Sequence, residues 1–338
     1  MKKSIILLAL ALAVLLPRGA AFALTLSPPR WEVAADPGAM VTGSIILINE
    51  ESETRTYYAS YENFEAQGDS GTPRFIGKRD GLATWLDAPA SITLSAGESR
   101  AVPFTITIPK DTEFGGYFAA LFWGTTPPGT ENGGQVAVGA KVGSLIFVTV
   151  GSNIEESAGL LSFNTAAKRF FYKSLPVTFE YRFANDGADR VRPVGTITVR
   201  SMLGWRVAKV DANPFQGNIL PGTTRKFSPE WTKLAPDERP SEAEKKAPYS
   251  FFKAVKNEWK NFAVGFFRAK MAIEYGKTVQ QLKSNNVYFI VFPFELMAIL
   301  IIGTLILFFI FRRGVRRYNR WVISKAQARL VQMQQRGE

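Results

Sequence analysis

Between residues 24 and 293 the chain is a series of short apolar runs, rich in Val, Ile, Thr, Phe and Tyr and separated by Gly, Pro, Asn and Asp. Some runs alternate strictly, as Phe104-Thr105-Ile106-Thr107-Ile108 does, which predicts a strand with one buried face. The segment from Phe267 to Tyr275 alternates in the same way. The other runs predict strands at Met40–Ile48, Thr54–Tyr61, Val102–Ile108, Tyr117–Trp123, Leu145–Val150, Val177–Phe183, Val194–Val199, Phe227–Trp231 and Val287–Phe292.

Regularly spaced short strands with turn residues between them favour a mostly β chain of two tandem immunoglobulin-like β-sandwiches, at 24–152 and 153–292, although a barrel is the alternative. Pro28-Pro29 suits an edge strand, because proline cannot donate a ladder hydrogen bond. Each sandwich also has a strand that ends in asparagine, at Asn49 and at Asn185, and a later turn, Leu94–Arg100 or Leu220–Arg225. This repetition indicates a shared turn requirement.

The N-terminus has the form of a secretory signal peptide, residues 1–23. Lys2-Lys3 precedes an apolar run from Ile5 to Leu16, and small residues lead to Ala23. The run is too short to span a bilayer comfortably. We therefore expect cleavage between Ala23 and Leu24, with an uncleaved N-terminal anchor as the alternative.

The C-terminal region predicts one transmembrane helix, residues 293–311. From Phe294 to Phe311 the only charged residue is Glu295, and at about 1.5 Å per residue this stretch can cross a hydrocarbon core of about 30 Å. A stop-transfer cluster follows directly, comprising Arg312, Arg313, Arg316 and Arg317. These arginines favour a single-pass type I protein with its N-terminus outside and a basic cytoplasmic tail, 312–338, over a buried core helix.

A helical insertion at about 235–264 interrupts the second sandwich. From Tyr249 the pattern predicts an amphipathic helix that ends at Gly265. Its apolar side comprises Phe251, Phe252, Val255, Trp259 and Phe262, and its basic side comprises Lys253, Lys256 and Lys260. The helix either lies in the outer membrane interface or packs its aromatic side against the end of the second sandwich, which is the commoner fate of such a stripe.

Composition narrows the chemistry. The 338 residues contain neither Cys nor His, which excludes disulfides, thiol nucleophiles, imidazole bases and most zinc sites. No phosphate-binding or calcium-binding loop motif occurs, so we expect no cofactor, no metal site and no catalytic residue. We expect most tryptophans in the sandwich cores and Trp85, in the irregular stretch Gly81–Pro89, to be the most exposed.

The net charge of +12 does not indicate a nucleic-acid-binding protein. Residues 1–23 and 294–338 carry 11 of the 41 basic groups and 2 of the 29 acidic groups, so much of the excess belongs to the membrane signals. Within the ectodomain, 24–152 has a net charge of −6 and 153–293 has a net charge of +9. The basic part is therefore the one expected near anionic lipid or wall polyanion.

Several stretches together resemble the WxL-interacting proteins, surface proteins of Gram-positive bacteria. The stretches are Leu24–Pro29, Pro37-Gly38, Ile48-Asn49, Leu94–Pro109, Gly115–Tyr117, Asn185–Gly187, Pro193–Gly195, Leu220–Arg225 and Trp231. The resemblance implies two sandwich domains, a first that contacts peptidoglycan and a second that contacts other surface proteins. The inserted helix departs from that family's pattern.

The sequence thus predicts a non-catalytic, membrane-anchored bacterial surface protein that binds cell-wall polymer, other surface proteins or both. The alternative is a structural scaffold subunit of a membrane complex with no wall ligand. An enzyme that uses two carboxylates, such as a glycosidase, is a third reading, and it requires two acids facing each other across a cleft.

Overall fold

A computed structural model of the chain describes residues 24–77, 80–128, 140–152, 154–239 and 248–334. It divides into two compact units. The first runs through Gly159 and adds the segments Phe183–Arg192 and Gly217–Lys226, and the second takes up the rest of the chain. The predicted signal peptide, including Ala23, lies outside the described residues, and Leu24 is the first residue described.

The first unit contains two sheets. The smaller sheet has the strand order β1-β3-β8-β6, and the larger has the order β2-β10-β9-β4-β5, with β7 also paired to β4. All pairs are antiparallel except β2 with β10. The strands are β1 (Leu24–Ser27), β2 (Arg30–Ala35), β3 (Met40–Asn49), β4 (Arg55–Gln67), β5 (Thr72–Phe75), β6 (Leu86–Asp87), β7 (Ser91–Leu94), β8 (Ser99–Thr107), β9 (Gly115–Gly124) and β10 (Lys141–Val150), and a single helical turn, α1, spans Leu82–Trp85.

The core of this unit follows the predicted alternation. Alternate residues of β9 and β10, including Leu121 and Val148, point into one apolar cluster with residues of the smaller sheet such as Ile45 and Phe104. Trp123 lies at the centre of the cluster with no exposed surface. The chain changes sheets at Pro28-Pro29, between edge strands β1 and β2, which confirms the edge-strand prediction.

The second sandwich, from Ala158 onward, also consists of a pair of open sheets, so the barrel alternative is wrong. One sheet has the order β11-β13-β16, with β17 paired to β13, and the other has the order β12-β20-β18-β14-β15, with β19 paired to β18. The strands are β11 (Ala158–Thr165), β12 (Phe171–Tyr172), β13 (Val177–Asn185), β14 (Val194–Ser201), β15 (Arg206–Asp211), β16 (Thr223–Phe227), β17 (Glu230–Trp231), β18 (Gly265–Tyr275), β19 (Gln280–Lys283) and β20 (Val287–Val291).

Two helices complete this unit, α2 (Phe251–Lys260) and α3 (Phe294–Gln334), with a 3₁₀ turn at Pro236–Glu238. In β18 every second residue from Phe267 to Tyr275 is buried, as the alternation predicts. The ring of Trp231 packs edge-on against Phe267 at 5.0 Å between ring centroids and against Phe289 at 6.1 Å. Aromatic packing of this kind fills the interior of the sandwich.

Each of the two strand-end asparagines donates hydrogen bonds from its side chain to backbone carbonyl oxygens of a later turn. This confirms the predicted shared turn requirement. The Asn49 amide donates to the carbonyl oxygens of Leu94 and Ser95 at 3.2 and 3.0 Å. The Asn185 amide donates to the carbonyl oxygen of Ile219 at 2.9 Å. Both side chains are fully buried, because a later turn folds over each of them.

Three local predictions are wrong. Helix α2 ends at Lys260 and not at Gly265, since Gly265 begins β18 with a φ of 125°. Trp85 is only half-buried, not the most exposed tryptophan, because its ring lies 4.6 Å from that of Tyr117. The predicted strand Phe227–Trp231 is not continuous, since Phe227 ends β16 and Glu230-Trp231 forms the separate strand β17.

Candidate membrane junction

Helix α3 is long and apolar enough to cross a membrane. Its segment Phe294–Lys325 reaches a mean hydropathy of 2.7, and only 6% of its most apolar stretch is buried by the rest of the protein. A helix of 41 residues extends about 60 Å, twice the thickness of a hydrocarbon core. The helix thus continues without a break through the predicted boundary at 311–312.

The predicted stop-transfer arginines lie on the distal half of α3, and Arg312, Arg313, Arg316 and Arg317 are all exposed. They fall at i, i+4 spacing on neighbouring rows of the helix, where their side chains reach water or lipid phosphate. Beyond them the ring centroids of Tyr318 and Trp321 lie 6.1 Å apart, and the Lys325 ammonium is 4.2 Å from the centre of the Trp321 ring. This mixture of arginine and amphipathic aromatic residues is typical of a membrane interface.

The last strand leads into α3 with almost no linker. Only Phe292 and Pro293 separate β20 from the helix, and the first helical bond runs from the Met297 N–H to the Pro293 oxygen at 3.0 Å. The Phe294 ring stacks on Phe171 at 5.3 Å and meets Phe292 at 5.1 Å. These contacts join the second sandwich directly to the apolar helix.

Helix α2 reinforces this junction with a buried carboxyl group. Glu258 is 2% exposed, and its Oε2 accepts a hydrogen bond of 2.7 Å from the Leu296 N–H in the first turn of α3. The Tyr249 hydroxyl donates to Glu295 Oε1 at 3.1 Å. Burial, followed by the adjacent Glu295 carboxylate, raises the pKa of Glu258 to about 7 although the hydrogen bond from the Leu296 N–H acts to lower it.

The face that α2 turns toward the protein is polar. Asn261 is buried, and its Oδ1 accepts bonds from the Lys233 N–H at 3.0 Å and the Thr232 hydroxyl at 3.2 Å. The Asn261 amide donates to Asn257 Oδ1 at 3.1 Å. These side chains hold α2 in place through hydrogen bonds instead of apolar packing.

The aromatic side chains of α2 consequently face outward. Phe252 is 83% exposed and Trp259 is 71% exposed, while Phe251 and Phe262 are also exposed and Val255 is half-buried. Lys253, Lys256 and Lys260 are exposed as well, and Lys260 pairs with Glu238 at 2.7 Å. Against the described residues, Phe252 and Trp259 are mostly uncovered, whereas Val255, Phe251 and Phe262 are each partly covered by the rest of the protein.

More exposed apolar side chains lie near α2 that the sequence did not identify. Met202, Leu203 and Trp205 form the turn between β14 and β15 and are 70–80% exposed, although Trp205 was expected in the core. A groove of about 340 Å³ opens beside this turn, lined by Phe170, Ser201, Met202, Phe266, Phe267, Arg268 and Tyr288. The sequence signal that could have indicated this exposed turn is the turn-forming glycine of Met202–Trp205, Gly204, which adopts a φ of 87°.

The first unit contains a charged cluster of a different kind. Glu32 on β2 pairs with Arg190 at 3.3 Å and with Arg192, and accepts from Asn218 at 3.3 Å. Burial raises the pKa of Glu32, but the arginines and Asn218 lower it more, so the carboxyl group titrates below its usual range. Each charged group in this cluster has a partner, so the cluster resembles a structural contact within the unit. Within the described ranges, no three acidic side chains converge to hold a metal ion.

No protein-family model matches the chain, and no curated protein sequence matches it. Several solved structures have a similar arrangement of strands over about four-fifths of the chain. The class 5 fimbriae chaperone CfaA has 12% identity and a TM-score of 0.38, with 78% of this chain and 98% of that chain covered. The CsuC-CsuE chaperone–tip subunit complex of Acinetobacter baumannii gives 9% identity, 78% and 98% coverage, and a TM-score of 0.35. The Escherichia coli chaperone DraB gives 12% identity, 78% and 98% coverage, and a TM-score of 0.33. At this level the likeness does not extend to function, and the immunoglobulin-like fold rests on the chain's own sheets.

Proposed function

We propose that the chain is a single-pass membrane protein that holds two β-sandwich units outside the membrane as a non-catalytic platform for another surface protein. The direct junction of β20 with α3, locked by Glu258 and the stacked Phe171 and Phe294, carries this proposal. A flexible tether would suffice to keep a domain near a membrane. A reinforced junction instead fixes the orientation of the second unit on the helix, as a scaffold requires.

The tryptophans of the first unit favour a protein partner over a wall polymer. Sugar rings bind on exposed aromatic faces, but Trp31 and Trp85 are half-buried and Trp123 is fully buried. The rings of a larger aromatic group in this unit pack edge-on or tilted against one another; its members are Phe64, Phe118 and Phe147. The described tryptophans of the first unit therefore offer no exposed platform for the peptidoglycan-binding role that the family resemblance implies.

Membrane topology is the first test. Because the chain contains no cysteine, a maleimide can react only with an introduced one. In intact cells, we expect a membrane-impermeant maleimide to label Ala96→Cys in the first unit and Thr278→Cys in the second. We expect Ser324→Cys on distal α3 to react only after permeabilisation, because it follows the arginine cluster. All three positions are exposed, so unequal labelling reports the membrane and not burial. Labelling of Ser324→Cys alone in intact cells would reverse the proposed orientation.

Co-sedimentation with purified cell-wall sacculi separates the scaffold from the wall-binding alternative. We expect the full-length protein in detergent micelles to bind sacculi weakly and to release them in high salt, because the basic charge of residues 153–293 and of the C-terminal arginine cluster attracts wall polyanion without specific recognition. A variant with the basic residues Lys253, Lys256 and Lys260 changed to Gln serves as the control and should bind less at low salt. Binding that persists at high salt would instead establish wall recognition.

A further inference from the structure

The turn between β14 and β15 is a rigid structure that presents apolar side chains. The Ser201 N–H donates to the Trp205 oxygen at 2.8 Å, and the Gly204 N–H donates to the Ser201 oxygen at 2.9 Å. Arg200 donates a further bond of 2.9 Å to the Gly204 oxygen. Since these hydrogen bonds close the turn, the exposure of Met202, Leu203 and Trp205 is a property of the folded turn.

The strand register places this turn at the end of the sandwich from which α3 leaves. Ser201 is paired with Phe267 in β18, and the Met202 N–H donates to the Phe266 oxygen at 3.0 Å. Gly265, one residue further, is paired with Val291, the last residue of β20. The turn therefore lies level with the strand end that continues into the membrane helix three residues later.

Helix α2 lies at the same end, because it precedes Gly265 and contacts the first turn of α3 through Glu258. Its outward face combines Phe252 and Trp259 with the lysines. Aromatic residues with lysines beside them are the composition of a surface that sits among lipid headgroups.

We propose that the β14–β15 turn and the outward face of α2 insert together into the outer headgroup region of the bilayer that α3 crosses. The apolar side chains Met202, Leu203, Trp205, Phe252 and Trp259 enter the interface, and Lys253 and Lys256 contact anionic phosphate. This contact rests on the proposed membrane span, and it fixes the second unit against the membrane surface. A lipid surface fits better than a protein, because the exposed side chains lie at the end of the sandwich from which an apolar helix leaves.

The opposite end of the same sheet supplies a matched control. Strand β18 has 11 residues, so its ends lie about 33 Å apart at about 3.3 Å per residue. Val279, in the turn after β18, is also an exposed apolar side chain. It should remain in water, since the interface extends only about 5–8 Å beyond the hydrocarbon core.

The test uses single-cysteine variants of the full-length protein, labelled with the fluorophore NBD and reconstituted in vesicles of phosphatidylcholine and phosphatidylglycerol. Lipids that carry a nitroxide near the headgroup act as the quencher. We expect quenching of Leu203→Cys and Phe252→Cys to exceed that of Val279→Cys by roughly threefold or more, with a blue-shifted emission. Leu307→Cys, within α3, reports the span itself and should be quenched by a nitroxide deep in the acyl chain.

Equal, weak quenching at Leu203 and Val279, with strong deep quenching at Leu307, would overturn the interfacial contact while the span stands. Absence of deep quenching at Leu307 would overturn the span and this contact with it. Cross-linking of two copies through Leu203→Cys without quenching would assign the surface to a second copy of the chain and would also overturn the proposal. Thermal unfolding like that of the unsubstituted protein shows that each labelled variant is folded.

Discussion

Replacing Asn49 with aspartate will lower the free energy of unfolding of the first unit by about 3–5 kcal/mol. The Asn49 amide donates to the carbonyl oxygens of Glu53, Leu94 and Ser95 at 2.8–3.2 Å, and its oxygen accepts from the Tyr57 hydroxyl at 2.7 Å. An aspartate there has no amide protons and directs a negative charge at three carbonyl oxygens in a fully buried site. Both effects act against the folded state.

The measurement is the unfolding midpoint of the full-length protein in detergent micelles at neutral pH, followed by circular dichroism. For a domain of this size the expected loss corresponds to a decrease in Tm of roughly 10 °C. The same substitution at the exposed Asn286 is the control and should change the midpoint little. Asn185→Asp should destabilise the second sandwich for the same reason, because its amide donates to the Asp189 and Ile219 oxygens at 2.8 and 2.9 Å. A midpoint for Asn49→Asp within a degree or so of the Asn286 control would contradict this account of the turn.

These asparagines illustrate what can be predicted from this sequence. Strand positions follow from alternation, because burial on one face of a sheet imposes a period of two on neighbouring residues. The apolar run of α3 is equally local, since its length and flanking arginines are read directly from the chain. The asparagines stand out because each ends a strand and each is followed by a similar later turn.

The face that α2 buries could not be predicted in this way. Its aromatic and lysine residues both recur at helical spacing, and periodicity alone does not say which face the protein covers. The buried face is the polar one because its partners come from distant parts of the chain, such as Thr232 for Asn261 and Leu296 for Glu258. Only the tertiary structure brings these groups together.

The exposed Trp205 was missed for a related reason. A tryptophan among β-strands is usually buried, and the sequence offers no direct sign of which end of a sheet faces the membrane. That information comes from the register of β14, β18 and β20, which depends on long-range pairing. The exposed surface proposed to face the membrane is thus a property of the topology, and the sequence supplies only its residues.

The buried Glu258 at the start of α3 should make the stability of the second unit depend on pH in the opposite sense to an ordinary ion-paired acid. Its pKa in the folded protein is about 7, above the ordinary value of 4.5 expected in the unfolded chain. Between these values the folded state holds the proton more tightly, so stability is fully present below about pH 4.5 and is lost as pH rises toward 7. At about 1.4 kcal/mol per unit, the loss is at most about 3 kcal/mol.

Glu258→Gln isolates this contribution, because the amide oxygen can still accept from the Leu296 N–H while the side chain no longer ionises. In full-length protein reconstituted in nanodiscs, we expect the Tm of the Gln variant to match that of the unsubstituted protein near pH 5 and to exceed it by several degrees near pH 8. Glu258→Leu should lower the Tm at both pH values, since it leaves the Leu296 N–H without its acceptor. Parallel curves for the Gln variant and the unsubstituted protein across this range would show that Glu258 does not change protonation there. A gap that opens as pH rises would instead show that the cost of ionising the buried Glu258 beside α3 weakens the folded state, because no hydrogen bond is removed by that substitution.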